Sequence, residues 1–320
     1  MMKLKDYMWL CLAFIALLLL GCSGQEAIED VDGGKQEQTP TSPTTWHFRY
    51  AMDGEEEGSR VADFDLQVKA LDGHARLGLT CLSREDQSVL FQNRKFKTGD
   101  DKTLVPDDGE DMPEKPSVPF LLYALAPYDV ARQDLSPFVF EVQTDQCSEE
   151  NYIASDLLRG CTSQMDEDGT VDLTLGRQLT RWMLDVKIAN GLKPSDFDGA
   201  SFAIYRVKTA ITYDPMRGMV GEPQGKNGII EFLKLPDEVV DTEFKGMVII
   251  PPQTFTEQSR CYLRVTFKDG VKRYFTFDPF VFKGRFNYTS RITLNGYGHN
   301  LTATIQPFEE ETHWGLLEEQ

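Results

Sequence analysis

Side chains that commonly catalyse reactions or bind metals are present in this 320-residue sequence, but they are not grouped. None of the four histidines has a cysteine or a second histidine at the spacing of a metal site. No serine stands in a Gly-x-Ser-x-Gly turn, no glycine-rich phosphate loop precedes a helix, and no spacing singles out a carboxylate pair for glycoside hydrolysis. The acidic stretch at residues 166–169 lacks the regular carboxylate spacing of a calcium loop, so a plain turn is the better interpretation. We therefore predict no enzymatic activity, no metal site and no cofactor. The histidines are His47, His74, His299 and His313.

The cysteine with the clearest chemical context is Cys22. Lys3 and Lys5 give the chain a positive start, and the apolar run at residues 8–20 is too short to span a bilayer as a stable helix. This pattern is typical of a removable export signal. The sequence Leu-Leu-Gly-Cys that ends at Cys22 resembles the bacterial lipoprotein box, in which the signal is cut between Gly21 and Cys22 and the cysteine is acylated. We expect residues 1–21 to be the signal peptide and Cys22 to carry the lipid, because several acyl chains on one residue anchor a protein firmly. An ordinary secretory signal with a chance cysteine is the weaker alternative.

The other cysteines that stay in the exported chain would face an oxidising compartment. A bridge between Cys147 and Cys161 would close a short loop, but four cysteines allow three pairings and the sequence does not choose among them. Buried reduced thiols are the equally weighted alternative. The remaining two cysteines are Cys81 and Cys261.

The formal net charge of the chain is −18 at pH 7. Such a charge repels phosphate backbones and anionic membrane surfaces, which argues against nucleic acid as a partner. Residues 22–45 carry almost no apolar side chains, and this composition predicts a flexible tether. Ser23 stands where an aspartate commonly retains lipoproteins in the inner membrane, and Glu26, Glu29 and Asp30 resemble an acidic surface-export tract. We therefore expect an outer-membrane lipoprotein that faces the cell surface.

The folded part of the sequence predicts short strands separated by turns, with no long amphipathic helix. Residues 46–50 form a short aromatic strand candidate, and residues 64–70 alternate apolar and polar side chains, which is typical of a half-buried strand. The continuous apolar run at residues 120–128 fits a buried strand that ends at a proline. The strongest local signal is the hairpin at residues 261–277, in which an Asp-Gly pair turns between two alternating strands.

These patterns predict an all-β protein with two sandwich-like domains in tandem after the signal and the tether. The N-terminal domain would comprise residues 46–168, and the C-terminal domain would comprise residues 169–320. We place the join in the turn at residues 166–169, with residues 190–199 as a second candidate.

Several segments resemble the landmarks of fimbrillin-like proteins, which are the subunits of type V pili. The likeness is most specific in the last third, where Ile-Ile-Pro-Pro-Gln-Thr-Phe at residues 249–255 is followed by the hairpin and by the alternating residues 292–305. Residues 121–128 and 179–188 resemble earlier landmarks of the family. The turn at residues 296–300 departs from the family pattern, so a tip, anchor or stalk position stays open. The resemblance implies sandwich domains of the transthyretin-like type.

The resemblance also implies how such a subunit assembles. Fimbrillin-like subunits are exported as lipoproteins, and an arginine-specific protease removes the tether together with the first strand. A strand from a neighbouring subunit then fills the exposed groove, which is donor-strand complementation. On this sequence the exchanged strand would carry Trp46, Phe48 and Tyr50. The cut would fall after Arg60 in an acidic, glycine-bearing loop, and Arg49 is the less favoured candidate because it lies inside the strand.

Other fimbrillin-like subunits and the outer membrane are thus the expected partners, with host or bacterial surface glycans or proteins as adhesion targets. The terminal segment at residues 308–317 is either a donor strand or a self-packed tail. The alternative function is an outer-membrane surface lipoprotein that binds glycans without polymerising. Its sugars would stack on exposed aromatic side chains, for which the candidates are Trp46, Tyr213, Tyr297 and Trp314.

Overall fold

The computed structural model describes residues 45–53, 75–107, 109–235, 244–297, 300–305 and 309–311, with side chains up to residue 296. All of these residues belong to one compact unit. They form twenty β-strands and one short α-helix, which confirms the all-β prediction. Within these ranges, no helix has the length and the apolar character needed to cross a membrane.

The first half of the chain builds a closed barrel. Its elements are β1 (His47–Met52), β2 (Arg76–Ser83), β3 (Val89–Thr98), β4 (Thr103–Pro106), β5 (Phe120–Ala126), β6 (Phe138–Glu141), α1 (Glu149–Ser155), β7 (Leu158–Thr162) and β8 (Thr170–Arg177). All of these strands except β6 join the barrel, in the order β1-β4-β3-β2-β5-β7-β8. The barrel closes because β1 pairs in parallel with β8, whereas the other neighbouring strands are antiparallel.

The interior of the barrel is filled by alternate side chains of its strands. The first half therefore forms one closed sheet, and the finer prediction of two tandem transthyretin-like sandwiches is not confirmed. The physical reason is that β1 pairs with a strand on each side, so the sheet curls on itself and covers its own apolar face. The largest buried side chains of this core include Trp46, Phe48, Leu77, Leu79, Phe96, Leu104, Leu122 and Leu173.

The second half of the chain builds two further sheets. Its strands are β9 (Thr180–Ala189), β10 (Ser201–Asp214), β11 (Met219–Glu231), β12 (Leu233–Lys234), β13 (Phe244–Ile250), β14 (Gln253–Phe255), β15 (Tyr262–Thr266), β16 (Lys272–Thr276), β17 (Phe280–Phe282), β18 (Asn287–Tyr297), β19 (Asn300–Ile305) and β20 (Glu309–Glu311). One sheet has the order β11-β10-β15-β16, with β6 on β10, and the other has the order β12-β13-β9-β18-β19, with β20 on β18. Strands β14 and β17 form a separate pair. We call this assembly, including β6, the two-sheet body.

The two sheets of the body share one core. The rings of Phe202 on β10 and Phe244 on β13 are stacked with centroids 4.0 Å apart, and the Trp182 ring on β9 lies 5.1 Å from the Phe277 ring. Side chains from the outer surface of the barrel, including Tyr123 and Leu125 on β5, join the same core. Because β5 is buried on both faces, its sequence is continuously apolar, as predicted for residues 120–128.

The two architectures are interleaved along the chain. β6 precedes residue 168 but pairs with β10 in the two-sheet body, and β8 follows residue 168 but completes the barrel. Strand pairing alone does not divide the chain at one point. The division into residues 46–168 and 169–320 stays a prediction.

Candidate functional site

β1 is the strand that the sequence predicts to be exchanged, and its side chains alternate between the barrel interior and solvent. Trp46, just before the strand, and Phe48 are each 1% exposed, and Tyr50 is 6% exposed. Met52 continues the buried row. Successive side chains of a strand point to opposite faces, so every second residue of this short segment enters the core. The residues between them, which are exposed, are His47, Arg49 and Ala51.

The aromatic side chains of this segment occupy a slot lined by other rings. The Trp46 ring lies edge-on to Phe120 at 5.6 Å, and the Phe48 ring lies edge-on to Phe96 at 5.4 Å. Trp46 Nε1 donates a hydrogen bond to the Pro113 carbonyl oxygen at 2.7 Å, so the buried indole has a partner. Each such aromatic pair adds about 0.5–1.5 kcal/mol beyond the area it buries.

β1 is hydrogen-bonded on both sides, but unequally. It runs parallel to β8 along its whole length, from His47 opposite Thr170 to Met52 opposite Leu175. The backbone N–H of Asp53 extends this ladder by donating to the Leu175 carbonyl oxygen at 3.0 Å. On the other side, only two residue pairs join β1 to β4. The attachment to β8 is therefore the longer of the two.

Arg49 ties the outward face of β1 to the neighbouring strand. Its Nε and Nη2 atoms each donate to the Asp172 carboxylate at 2.8 Å, and the Asp166 carboxylate lies 4.0 Å away. The hydrogen bond and the charge of Asp172 raise the pKa of Arg49. Both side chains are more than half exposed, so the pair orients Arg49 and adds little to stability.

Loss of β1 would expose an apolar slot and two rows of backbone groups. The slot is bounded by buried side chains of the flanking strands, including Leu104 on β4 and Val171 and Leu173 on β8. Unpaired strand edges accept another extended segment readily, and alternate pockets select its side chains. The chemistry that this geometry offers is strand binding.

Three predicted site residues lie outside the described residues. They are Gly21 and Cys22 of the lipoprotein box and Arg60 of the candidate cleavage loop. Lipidation, signal cleavage and proteolysis at these positions stay predictions. Arg49, the other cleavage candidate, lies within β1, where its backbone pairs with both neighbouring strands. The predicted strand at residues 64–70 and most of residues 308–317 also fall outside the described part.

The aromatic residues predicted to stack on sugars do not form a surface cluster. Trp46 is 1% exposed and Tyr213 is fully buried, so the prediction is wrong for both residues. Burial raises the pKa of Tyr213 above its usual range. The Tyr297 side chain and Trp314 lie outside the described residues.

A different aromatic cluster lies on the surface of the two-sheet body. The Tyr205 ring on β10 lies 5.7 Å from Tyr274 on β16 and 6.4 Å from Tyr262 on β15. Part of this cluster could be predicted from the sequence, because the alternation of the hairpin at residues 261–277 places Tyr262 and Tyr274 on the face opposite its buried one. The sequence did not predict the pairing of β10 with β15, which places Tyr205 beside these two residues.

No disulfide forms among the cysteines in the described part of the chain, so Cys147 and Cys161 are not bridged. Burial raises the pKa of the Cys81 and Cys261 thiols to about 12 each. Thiols with such pKa values are protonated at neutral pH and react slowly.

Cys147 lies in a small polar cluster with Asp145 and Glu231. One ligand atom of each residue lies within 4.8 Å of the others. Burial and the two neighbouring carboxyl groups raise the pKa of Cys147 to about 12. Glu231 also accepts a 2.8 Å hydrogen bond from Arg264 Nη2, so a cation of the chain already meets part of its charge.

Comparison with solved structures gives the wider context of this fold. A putative cell adhesion protein from Bacteroides uniformis matches with a TM-score of 0.60 and 17% sequence identity, over 86% of this chain and 100% of the other. A putative cell adhesion protein from Bacteroides ovatus matches with a TM-score of 0.62 and 13% identity, over 85% of this chain and 98% of the other. A fimbrial protein from Bacteroides vulgatus matches with a TM-score of 0.46 and 12% identity, over 85% of this chain and 100% of the other.

The first two of these neighbours are named as putative cell adhesion proteins, which agrees with the resemblance suggested by the sequence. At such low identity, the likeness to the first two proteins shows a shared fold. No protein-family model and no curated protein matches the sequence.

Proposed function

We propose that this chain is a non-enzymatic subunit of a surface pilus or adhesin that assembles by donor-strand exchange. The observation that carries the proposal is β1, a short strand that fills the barrel core with alternate aromatic side chains and pairs on both sides. The fold shared with putative cell adhesion proteins supports the same class. The partners would be other subunits of fimbrillin-like type.

The proposed assembly begins at the cell surface. Residues 1–21 would be removed, Cys22 would carry the lipid in the outer membrane, and residues 22–45 would hold the folded part away from it. Proteolysis would then free β1 from the rest of the chain. An extended segment of a neighbouring subunit, with apolar side chains at alternate positions, would take its place between β4 and β8.

Arg60 is the better candidate for the cut. Cleavage at Arg49 would first require the paired backbone of β1 to leave the barrel, together with the two hydrogen bonds to Asp172. Arg60 follows Asp53, whose backbone marks the end of the ladder with β8. A cut after Arg60 would leave β1 held only by non-covalent contacts, so that a donor strand could displace it.

The alternative, a surface lipoprotein that binds glycans without polymerising, keeps one supporting observation. Exposed Tyr205 and Tyr274, together with half-buried Tyr262, form an aromatic cluster at the surface. This function does not need β1 to leave, so cleavage separates the two proposals.

Treatment of the purified precursor with an arginine-specific protease tests strand exchange. A soluble precursor of residues 22–320 with Cys22→Ser is cleaved, and the products are run on gels in mild detergent. We expect a ladder of detergent-resistant multimers, with a new amino terminus at residue 61 found by terminal sequencing. Arg60→Gln should abolish the ladder.

Arg84→Gln is the matched control, because Arg84 is an exposed arginine in a turn of the described part. This variant should form the wild-type ladder. A wild-type precursor that is cut after Arg60 and stays monomeric would contradict the proposal, as would a ladder formed by Arg60→Gln.

A further inference from the structure

Three tyrosines form what we call the tyrosine platform on the outer face of the β11-β10-β15-β16 sheet. Tyr205 is 36% exposed and Tyr274 is 50% exposed, and Tyr262 lies beside Tyr205 on the adjacent strand. The rings contact one another at tilts of 48° and 59°, so they form a continuous aromatic surface. Tyrosine offers a large, rigid contact area at a low cost in conformational entropy, which is typical of binding surfaces.

A β-bulge places a cation beside this platform. The register of β10 and β11 shifts between Tyr205 and Val207, and Arg206 adopts a positive φ of 67°. Ile204 and Val207 are both buried, so the extra residue allows Tyr205 and Arg206 to leave the core side together. The Arg206 guanidinium lies 5.8 Å from the centre of the Tyr262 ring. Bulges that redirect side chains and strained backbone at non-glycine residues are both concentrated at functional sites.

Arg206 also lines a small cavity that is rich in cations. The cavity has a volume of about 140 Å³, and none of its lining residues that the structure describes is acidic. This volume holds one charged group of a ligand and is well below that of a whole small-molecule pocket. The polar side chains around it include Arg206, Lys208, Asn227, Gln253, Ser259 and Arg260.

Other groups of the protein neutralise the positive charges around the cavity only in part. Arg260 pairs with Glu257, and Lys208 Nζ donates to the Gly225 carbonyl oxygen. Three cations at one place stand out in a chain whose formal net charge is −18. They make this site attractive to an anion that most of the surface would repel.

We propose that the tyrosine platform and this cavity together bind a saccharide that carries a carboxylate or a sulfate group. The C–H face of a sugar ring stacks on the tyrosine rings, whose π-faces are electron-rich. The anionic group enters the cavity, where Arg206 offers a planar pair of donors and Lys208 a point charge. Carboxylated and sulfated sugars share this chemistry.

This inference concerns what the surface binds and does not depend on strand exchange. The platform strands β10, β15 and β16 belong to the two-sheet body, whereas β1 belongs to the barrel. Binding is therefore measured on uncleaved monomer. Failure to bind would leave the assembly proposal untouched, and failure to polymerise would leave this proposal untouched.

The test uses three oligosaccharides of equal length with the soluble precursor. They are an oligogalacturonate with carboxylates, a carrageenan oligosaccharide with sulfates, and a neutral galacto-oligosaccharide. Affinity is measured by isothermal titration calorimetry, and saturation-transfer NMR identifies the sugar protons that contact the protein. We expect at least one anionic probe to bind at least tenfold more tightly than the neutral one, with its ring C–H protons saturated and its affinity falling as salt is added.

Two variants remove the two halves of the site separately. Tyr274→Ala deletes an exposed ring from an edge strand, and Arg206→Asn removes the charge while asparagine tolerates the positive φ. Each should weaken binding at least tenfold without lowering the melting temperature. The matched controls are Met219→Ala, an exposed apolar side chain on β11, and Arg217→Asn, an exposed arginine in the preceding turn. Both should bind as the wild type does.

Several outcomes would overturn the inference. The wild type could bind none of the three probes, or bind the neutral probe as tightly as the anionic ones. Binding could also survive both Tyr274→Ala and Arg206→Asn unchanged. If either variant instead blocks multimer formation while no sugar binds, the platform is a contact between subunits and the saccharide proposal is wrong.

Discussion

The Arg177 guanidinium is 1% exposed and makes two hydrogen bonds to the Asp156 carboxylate, at 2.7 and 2.6 Å. Burial alone lowers the pKa of Arg177, but the charge of Asp156 and its hydrogen bonds raise it overall, so the side chain stays charged. This pair joins the end of β8 to the residue that follows α1. A charge held in this way depends strongly on its partner.

We expect Asp156→Asn to lower the free energy of unfolding by about 3–5 kcal/mol, because it leaves a buried cation without the charge that balances it. The measurement is urea denaturation followed by circular dichroism. Asp214→Asn is the control, since Arg217 in that ion pair is 75% exposed. This control should cost less than about 1 kcal/mol. If both variants lost the same free energy of unfolding, burial would not determine how much the Arg177–Asp156 pair stabilises the protein.

Single residues differ in how far the sequence could place them. The aromatic residues at 46–50 predicted a short strand, and the structure confirms the strand as β1. Tyr213 could not be placed, because a tyrosine in an apolar strand faces the core or the solvent according to the register of the strand. The sequence does not give that register for β10, which carries three shifts against β11.

At the scale of elements, local pairing was predictable and distant pairing was not. The hairpin at residues 261–277 is confirmed by β15 and β16, with Tyr262 opposite Thr276. Its signal is contained in seventeen consecutive residues. By contrast, the parallel pairing of β1 with β8 sets His47 opposite Thr170, and no local periodicity reports such a contact. For this reason the sequence predicted a sandwich where a closed barrel forms.

The unequal pairing of β1 leads to a prediction about this element alone. A synthetic peptide of residues 45–53 should bind the cleaved subunit and stop the multimer ladder, because it restores the alternate apolar side chains and the ladder with β8. The measurement is ladder length on gels at increasing peptide concentration.

Two altered peptides sharpen this test. Alanine at both Phe48 and Tyr50 should abolish the block, because truncating one buried aromatic side chain costs about 3–5 kcal/mol. Alanine at Arg49 should retain most of it, since the ion pair with Asp172 is exposed. If all three peptides act alike, the barrel slot does not select its strand by the buried side chains.

At the scale of the whole molecule, the barrel and the two-sheet body are interleaved. After β5 the chain leaves the barrel, pairs β6 with β10, and returns through α1 to β7 and β8. Just before α1, the fully buried side chain of Gln146 bonds both backbone groups of Ile249 on β13, at 2.9 and 2.8 Å. The sequence did not predict this contact with β13, because a glutamine between strands is interpreted as an exposed loop residue unless its buried partner is known.

This interleaving predicts that the barrel and the two-sheet body unfold together. Native-state hydrogen exchange, measured by mass spectrometry at rising urea concentrations, should give the amides of β2 in the barrel and of β10 in the body the same free energy of opening.

Gln146→Ala leaves the buried N–H and C=O of Ile249 without their side-chain partner, which costs about 1–3 kcal/mol. The free energy of opening should fall by the same amount in β2 and in β10. This holds although the Gln146 side chain is hydrogen-bonded only to β13 of the body and to the adjacent loop. Gln143→Ala, at an exposed position three residues earlier, should leave both values unchanged. Independent tandem domains would behave differently: β10 would lose stability while β2 kept the wild-type value, and the sequence-based division at residue 168 would then describe the molecule better than its strand pairing does.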